Sequence, residues 1–255
     1  MNETVSSIPL LLPHSSMSTE SNKTGSWRFL RPLYDEKTSP CSEACPAGED
    51  IARIEMLTAQ GLFKEAWETI LRENPFPSVC GRICPHPCEE TCNRREFDEA
   101  VAVHTVERFL AETASRYDLK PNLEILPSKQ QRIALVGAGP AGLSAAYFLN
   151  CLGYSCDVFE AATEPGGILR WGIPPYRLPL PALKNDIAQI ESHGVHIRTG
   201  VHIGREFLQN AGNDYDAVFF GCGRSRVTEL GIPGEKANAV ADGITFLKQI
   251  RQGEI

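Results

Sequence analysis

The sequence predicts an α/β protein in two parts: an all-helical, cysteine-bearing N-terminal domain, then a domain built on a parallel sheet. Three observations predict it. Residues 27–120 read as amphipathic helices separated by Cys/Pro loops. From Gln131 the pattern switches to apolar strands alternating with helices, and a Gly-x-Gly-x-x-Gly turn stands at the first strand–helix junction.

The bulk numbers bound the reading. A chain of 255 residues, 42% hydrophobic and 22% charged, is an ordinary globular composition with enough length for one large or two smaller domains. The net charge of −7 argues against a nucleic-acid partner, which needs a basic stripe. No apolar run approaches the roughly 20 residues that span a bilayer, so no membrane association is expected. The start, "MNETVSSIPLLLPHSS", has no Lys or Arg ahead of its apolar patch and makes a poor signal peptide. We read residues 1–26 as a disordered tail and the protein as cytoplasmic.

In the helical part, "EDIARIEMLTAQG" puts Ile51, Ile54 and Leu57 on one face, with Gly61 as the stop. "LFKEAWETILREN" spaces Phe63, Ala66, Trp67, Ile70 and Leu71 for a second helix that Pro75 and Pro77 end. A further helix is predicted over "DEAVAVHTVERFLAETASRY", with Val103, Val106 and Leu110 inside. Residues 121–130 read as a linker, and residues 131–255 as the second domain.

That second domain opens with "QRIALVGAGPAGLSAAYFLNCLGYSCDVFEA": strand, glycine turn, Ala-rich helix, strand. The context is that of a Rossmann-type dinucleotide fingerprint. Gly137 permits the tight turn. Gly139 lets the backbone approach a pyrophosphate at a helix N-terminus, where free N–H groups favour negative charge. Gly142 lets the helix pack on the strand, and Glu160 ends the next strand where a ribose diol needs an acceptor. Farther on, "HIRTGV" and "YDAVFFGCG" read as strands, the second apolar enough to be central. Between them, "EPGGILRWGIPPYRLP" reads as a loop in which Gly166 and Gly167 pass close to a ligand.

The cysteines pose a separate question. There are nine, an odd number, and six of them (Cys41, Cys45, Cys80, Cys84, Cys88 and Cys92) lie in the helical part. A reducing compartment disfavours disulfides. Cys151, Cys156 and Cys222 sit in apolar segments and read as small buried hydrophobes. In "VCGRICPHPCEETCNRR", Pro85 and Pro87 forbid a continuous helix, so the chain loops around something. The Cys-Pro pairs Cys45-Pro46 and Cys84-Pro85 suit an iron–sulfur cage, in which proline fixes the turn after a ligand; zinc remains the other reading. His86 and His104 are outside candidates as ligands and read first as a surface and a helix-face histidine respectively.

Taken together, "GAGPAGL…FEA…GGILRWGIPPYRLP…DAVFFGCG" closely resembles the FAD domain of the small (beta) subunit of NADPH-dependent glutamate synthase, a module shared with the N-terminal region of dihydropyrimidine dehydrogenase. The resemblance covers about residues 40–255. It implies an FAD site lined by Gly137, Ala138, Gly139, Pro140, Ala141, Gly142, Glu160, Gly166, Gly167 and Arg177. Val201 would lie beside the adenine, and Gly221, Cys222 and Gly223 at a crossover near the flavin phosphates. In that family the preceding helical region, alpha-helical ferredoxin-like, carries two 4Fe–4S clusters, and "CSEACPAGEDI" and "NPFPSVCGRICPHPCEETC" match its cysteine segments. The six cysteines thereby take the role of thiolate ligands. Glu107 stands near the position where dihydropyrimidine dehydrogenase uses a ligating Gln. The family's additional Cys-x-x-Cys ahead of Cys41 is absent, because "LYDEKTSP" holds no cysteine. Seven donors fall short of the eight that two clusters need, so one 4Fe–4S cluster is expected and a second is left open.

The family's nicotinamide-binding unit has no counterpart here: "GCGRSR" lacks the third glycine. The FAD domain is therefore expected to be incomplete at its C-terminus, either as a fragment or as a chain completed by another. The resemblance implies an electron-transfer flavoprotein, an FAD- and iron–sulfur-dependent NAD(P)H oxidoreductase subunit working with partner oxidoreductase subunits in a hetero-oligomer. NAD(P)H would donate through the missing domain or a partner. The hydride step needs no acid or base, so no catalytic residue is assigned. The alternative is a non-enzymatic adaptor whose cysteine domain is a structural metal knot.

Overall fold

Proline and polar caps set where the helices begin. In the computed structural model, which describes residues 38–224, 228–237 and 240–255, helix α1 (Pro40–Ala44) starts with Pro40 after Ser39, whose Oγ accepts from the Ser42 N–H. Asp50 caps α2 (Ile51–Ala59) through the Arg53 N–H at 3.2 Å. Gly61, at φ +76°, takes the left-handed turn that separates α2 from α3 (Phe63–Leu71). Helices α4 (Pro77–Ile83) and α5 (Pro87–Glu90) also begin on proline, and α6 (Val103–Arg116) follows. The helix predicted from Asp98 thus starts five residues later. Asp98 is engaged instead by the Arg94 guanidinium, and Glu89 accepts from the His104 N–H in the first turn of α6. The tail assigned to 1–26, and residues 27–37 of the helical part, lie outside the described residues.

Ile54, Leu57, Ala66, Trp67, Ile70, Leu71, Leu110 and Ala114 form the core of the helical part. Where α4 crosses α6 the backbones nearly touch: a Cβ on Gly81 would lie 2.7 Å from the Arg108 amide nitrogen. Gly81→Ala is therefore expected to cost about 1–3 kcal/mol, as overpacked sites do. Gly212→Ala, whose methyl meets nothing within 4 Å, should be near neutral in the same thermal melts.

The second half alternates strands and helices: β1 (Arg132–Val136), α7 (Pro140–Cys151), β2 (Ser155–Glu160), α8 (Gly167–Trp171), α9 (Leu180–Ser192), β3 (His196–Thr199), α10 (Arg205–Asn210), β4 (Ala217–Phe220) and α11 (Gly243–Gln252). The four strands are parallel in the order β3-β2-β1-β4, with Val136 opposite both Phe159 and Phe220. This is the α/β class with a Rossmann-type half-sheet, whose ligand crevice opens at the carboxyl ends of the strands. Two expectations need correction. Strand β4 is an edge among the described residues and not central, and its Phe219 and Phe220 remain exposed. Moreover, "GGILRW" forms the short helix α8 inside what reads as a loop.

Helices and sheet share one interior. Phe76 and Val79, at the start of α4, are buried with Ile133, Leu135, Leu143, Tyr147, Val158, Leu183 and Ile187 of the second half. Two buried hydrogen-bond sets cross the same seam. Tyr147 donates its hydroxyl to the Leu71 carbonyl at 2.8 Å, and the Asp186 carboxyl on α9 accepts from the Ser78 and Val79 N–H groups at 3.2 and 2.9 Å. Asp186 thereby caps α4 from the other half of the chain. Burial outweighs the amide hydrogen bonds and pushes its carboxyl up to about 7. Residues 39–255 form one compact unit, in which residues 121–130 hold neither helix nor strand. Among the described residues no helix is long and apolar enough to cross a membrane.

Candidate dinucleotide and metal sites

Six glycines meet where β1 and β4 end. Gly137, at φ +105°, leaves no room for a side chain: a Cβ there would lie 2.6 Å from the Gly221 carbonyl oxygen. A Cβ on Gly142 would overlap the Gly137 carbonyl oxygen, and one on Gly167 would lie 2.8 Å from the Gly139 Cα. Gly221 is tied to the turn by its N–H on the Val136 carbonyl at 2.8 Å, and Gly166 by its N–H on the Ala138 carbonyl at 2.8 Å. These glycines are glycine because the protein itself fills the space.

Gly139 is different. Its φ of −81° suits any residue, and a Cβ built on it meets nothing closer than 3.9 Å. Glycine at this position keeps open a hollow that the protein does not fill. The hollow sits at the N-terminus of α7, where Pro140 brings no N–H and the first-turn amides lack helical partners. Glu160 stands beside it. Its Oε2 accepts from the Ala138 N–H at 2.7 Å and its Oε1 from the Ala162 N–H at 2.8 Å. Each oxygen keeps a lone pair for a ligand hydroxyl. Val201 is pinned alongside by its N–H on the Glu160 carbonyl at 2.9 Å.

Other predicted residues lie less close to the turn. Arg177 is exposed, and its amide hydrogen-bonds only to Pro174. Cys222 is exposed and not a buried thiol, and Gly223 beyond it faces open space. The buried arginine of this segment is Arg170, which donates to the Pro165 carbonyl at 2.5 Å and pairs with Glu164. Trp171 beside it has a buried indole N–H without a partner among the described residues.

The cysteines assemble at the ends of short helices. Cys45 ends α1, Cys84 ends α4, and Cys88 lies in α5, buried against Ile51 and Val103 with Cys41 and Cys45 packed on them. Burial raises the Cys84 and Cys88 thiols, Cys88 to about 12. Cys45 raises both further, and Cys84 adds to the effect on Cys88, so these three sulfurs share one environment. Cys80 borders the same group: burial, then the Glu107, Glu49 and Cys84 charges, push its thiol up, and the thiol donates to Asn74 Oδ1 at 3.7 Å. Cys41 sits 3.2 Å from the Ser39 hydroxyl, and Cys92 precedes a 3-10 turn at Asn93–Glu96. No disulfide forms among the described cysteines.

Behind the sulfurs lies a buried polar group that sequence reasoning largely missed. Asn74 donates to Glu49 at 2.7 Å and to Glu107 at 2.9 Å, while its Oδ1 accepts from the Phe76 N–H. Burial pushes both carboxyls up to about 8, and the Glu107 charge raises Glu49 further. Glu107 Oε2 lies 3.3 Å from His86 Nε2. His86 is buried, contrary to the surface position expected: its backbone is left-handed at φ 51°, and its ring meets the Cys84 carbonyl and Glu107. Only Glu107 of this group carried a sequence signal; Glu49 and Asn74 stand in "AGED" and "ENPFP" with nothing to mark them as buried.

A helical, cysteine-bearing part followed by a half-Rossmann sheet with a glycine turn defines the class of fold. Comparison with known proteins agrees. Residues 31–119 match the family described as dihydropyrimidine dehydrogenase domain II, 4Fe-4S cluster, and residues 135–182 match the NAD(P)-binding Rossmann-like domain. The beta subunit of NADPH-Fe(3+) oxidoreductase from Geobacter sulfurreducens is 38% identical over 227 residues, which is 87% of this chain and 34% of that protein. The glutamate synthase [NADPH] small chain of Halomonas elongata is 34% identical over 81% of this chain and 44% of its own length. The NAD-dependent dihydropyrimidine dehydrogenase subunit PreT of Salmonella typhimurium is 34% identical over 85% and 52%. The chain belongs to this glutamate synthase small chain-like family, and it spans about a third to a half of the length of these relatives.

Proposed function

We propose that the chain is an electron-transfer flavoprotein module that works between NAD(P)H, FAD and a 4Fe–4S cluster and exchanges electrons with a partner oxidoreductase subunit. The observation that carries this is the hollow at Gly139, a cradle that a single Cβ would fill, at the N-terminus of a long helix. Gly137 to Gly142, Gly167 and Gly221 shape the phosphate-binding backbone, and Glu160 accepts from a ribose diol. Val201, Cys222 and Gly223 follow the carboxyl ends of β3 and β4, and Arg177 is assigned to the site on the family resemblance. For the metal, Cys45, Cys84 and Cys88 with Glu107 form the favoured cage. Soft thiolates in a desolvated pocket suit iron–sulfur chemistry, and coordination would offset the burial that now holds the thiols protonated. Cys80, within reach of Cys84 and Glu107, and Cys41 and Cys92 complete the thiol set.

When bound, the flavin couples a two-electron donor to single-electron transfer through the cluster. The chain's own residues bind, orient and desolvate; none is required as an acid or base. The electron donor reaches the flavin from a nicotinamide domain or subunit outside this sequence, in a cytoplasmic hetero-oligomer. Anaerobic purification tests the proposal. A brown protein holding FAD and iron near whole-number ratios per chain is expected, whereas a colourless protein holding zinc and no flavin would sink it.

A further inference from the structure

The buried polar group behind the sulfurs is organised around one side chain. Asn74 is 4% exposed and follows α3, where its N–H closes on the Ile70 carbonyl at 2.8 Å. One of its amide protons goes to Glu49 Oε1 at 2.7 Å and the other to Glu107 Oε1 at 2.9 Å. Its carbonyl oxygen accepts from the Phe76 N–H at 2.9 Å and from the Cys80 thiol at 3.7 Å. A backbone N–H can only donate, so Phe76 fixes which end of the amide is oxygen, and both protons must face the carboxyls. An amide with every donor and acceptor in use cannot turn without breaking several bonds in a place shut off from water.

Glu107 depends on that amide. Its Oε1 takes the Asn74 proton, and its Oε2 lies 3.3 Å from His86 Nε2. His86 Nδ1 stands 2.7 Å from the Cys84 carbonyl oxygen, which can only accept, so Nδ1 carries the proton of the neutral ring and Nε2 brings a lone pair. Asn74 is then the one nitrogen donor to this carboxyl among the described residues. The Glu107 charge reaches the sulfurs as well: after burial it is the largest influence raising Cys80, and it also raises Cys84. Glu49, buried ahead of α2, draws the second amide proton and so anchors the amide from the other side. A glutamate side chain left to itself samples many rotamers, whereas one held at Oε1 presents Oε2 in a single direction.

We propose that Asn74 is the positioning residue for the oxygen ligand of the thiolate cage, holding Glu107 by Oε1 so that Oε2 is presented to the metal. This rests on the reading of Glu107 as an iron ligand. Hydrogen bonds to a ligating carboxylate fix its direction and its donor strength, and losing them costs roughly 10–100-fold in metal affinity. Asparagine suits the position, since aspartate would bring a third carboxylate and leucine would leave two buried carboxyls without a donor.

The test uses the whole chain, reconstituted anaerobically with iron and sulfide, and reads iron retention against a chelator together with the EPR spectrum of the reduced cluster. In Asn74→Ala, iron affinity should fall roughly tenfold or more, and the spectrum should change as it does in Glu107→Ala. Asn74→Asp keeps the shape and the Phe76 contact but gives up the amide protons; it should behave likewise, and it stands in if alanine does not fold. The double variant Asn74→Ala with Glu107→Ala should lose no more iron affinity than Glu107→Ala alone, because Asn74 acts through that carboxyl, whereas a merely structural role would multiply the two losses. Parental iron retention and spectrum in the folded Asn74 variant, or multiplied losses in the double variant, would overturn the proposal while leaving Glu107 in the cage. Parental behaviour of Glu107→Ala would instead remove Glu107 from the cage, and the proposal with it.

Discussion

Gly139→Ala is expected to weaken FAD binding by roughly tenfold or more, an effect of about 1.4 kcal/mol at the least, with the fold intact. The two halves of that statement come from the same geometry. The added methyl meets nothing in the chain within 3.9 Å, and the backbone there is already in a conformation that alanine adopts, so thermal stability should hold. The volume it takes is the volume a pyrophosphate needs against the helix N-terminus. Gly142→Ala makes the contrast, because its methyl would overlap the Gly137 carbonyl oxygen and the turn itself must open. Flavin titration alongside thermal melts separates the two. Parental flavin affinity in Gly139→Ala would remove the dinucleotide assignment.

The second large effect is on iron. Cys88→Ala should lower iron content several-fold, since Cys88 is a buried residue and shares its environment with Cys45 and Cys84. Alanine is chosen so that no unsatisfied hydroxyl is left in the Ile51–Val103 pocket. Cys151→Ala, on α7 and away from these helices, should leave iron unchanged. Cys80→Ala should lower iron as well, because its thiol lies within electrostatic reach of Cys84 and Glu107 beside Asn74. Equal iron loss from Cys88→Ala and Cys151→Ala would refute the division of the nine cysteines.

Much of this architecture is legible in the sequence where a local rule acts alone. Gly137, Gly139 and Gly142 announce the turn because their spacing is fixed by contacts within one strand and helix. Pro85 and Pro87 break the cysteine run because proline cannot continue a helix. What stayed hidden depends on distant partners. His86 is buried because the loop around it closes on Glu107, a residue of another helix. Glu49, Asn74 and Glu107 meet across three separate segments, and no periodicity marks such a meeting. Strand β4 reads as central from its apolar "AVFF", yet composition records only that a surface wants covering, not which strand lies beside it. The segment "GGILRW" reads as a loop because two glycines discourage a helix, and packing of Leu169 and Arg170 overrides that.

The interior shared by α4 and the sheet carries a thermodynamic consequence. Phe76, Val79 and Asp186 tie α4, the helix that carries Cys80, to the half of the chain that holds the glycine turn. A ligand that binds only the native state stabilises every residue that melts with it. Iron held by the helices would therefore raise the melting temperature of the dinucleotide fold, and flavin held by the turn would slow the escape of iron. Each proposed cofactor would then steady the other's site, and oxidative damage to the cluster should be felt as loosened flavin.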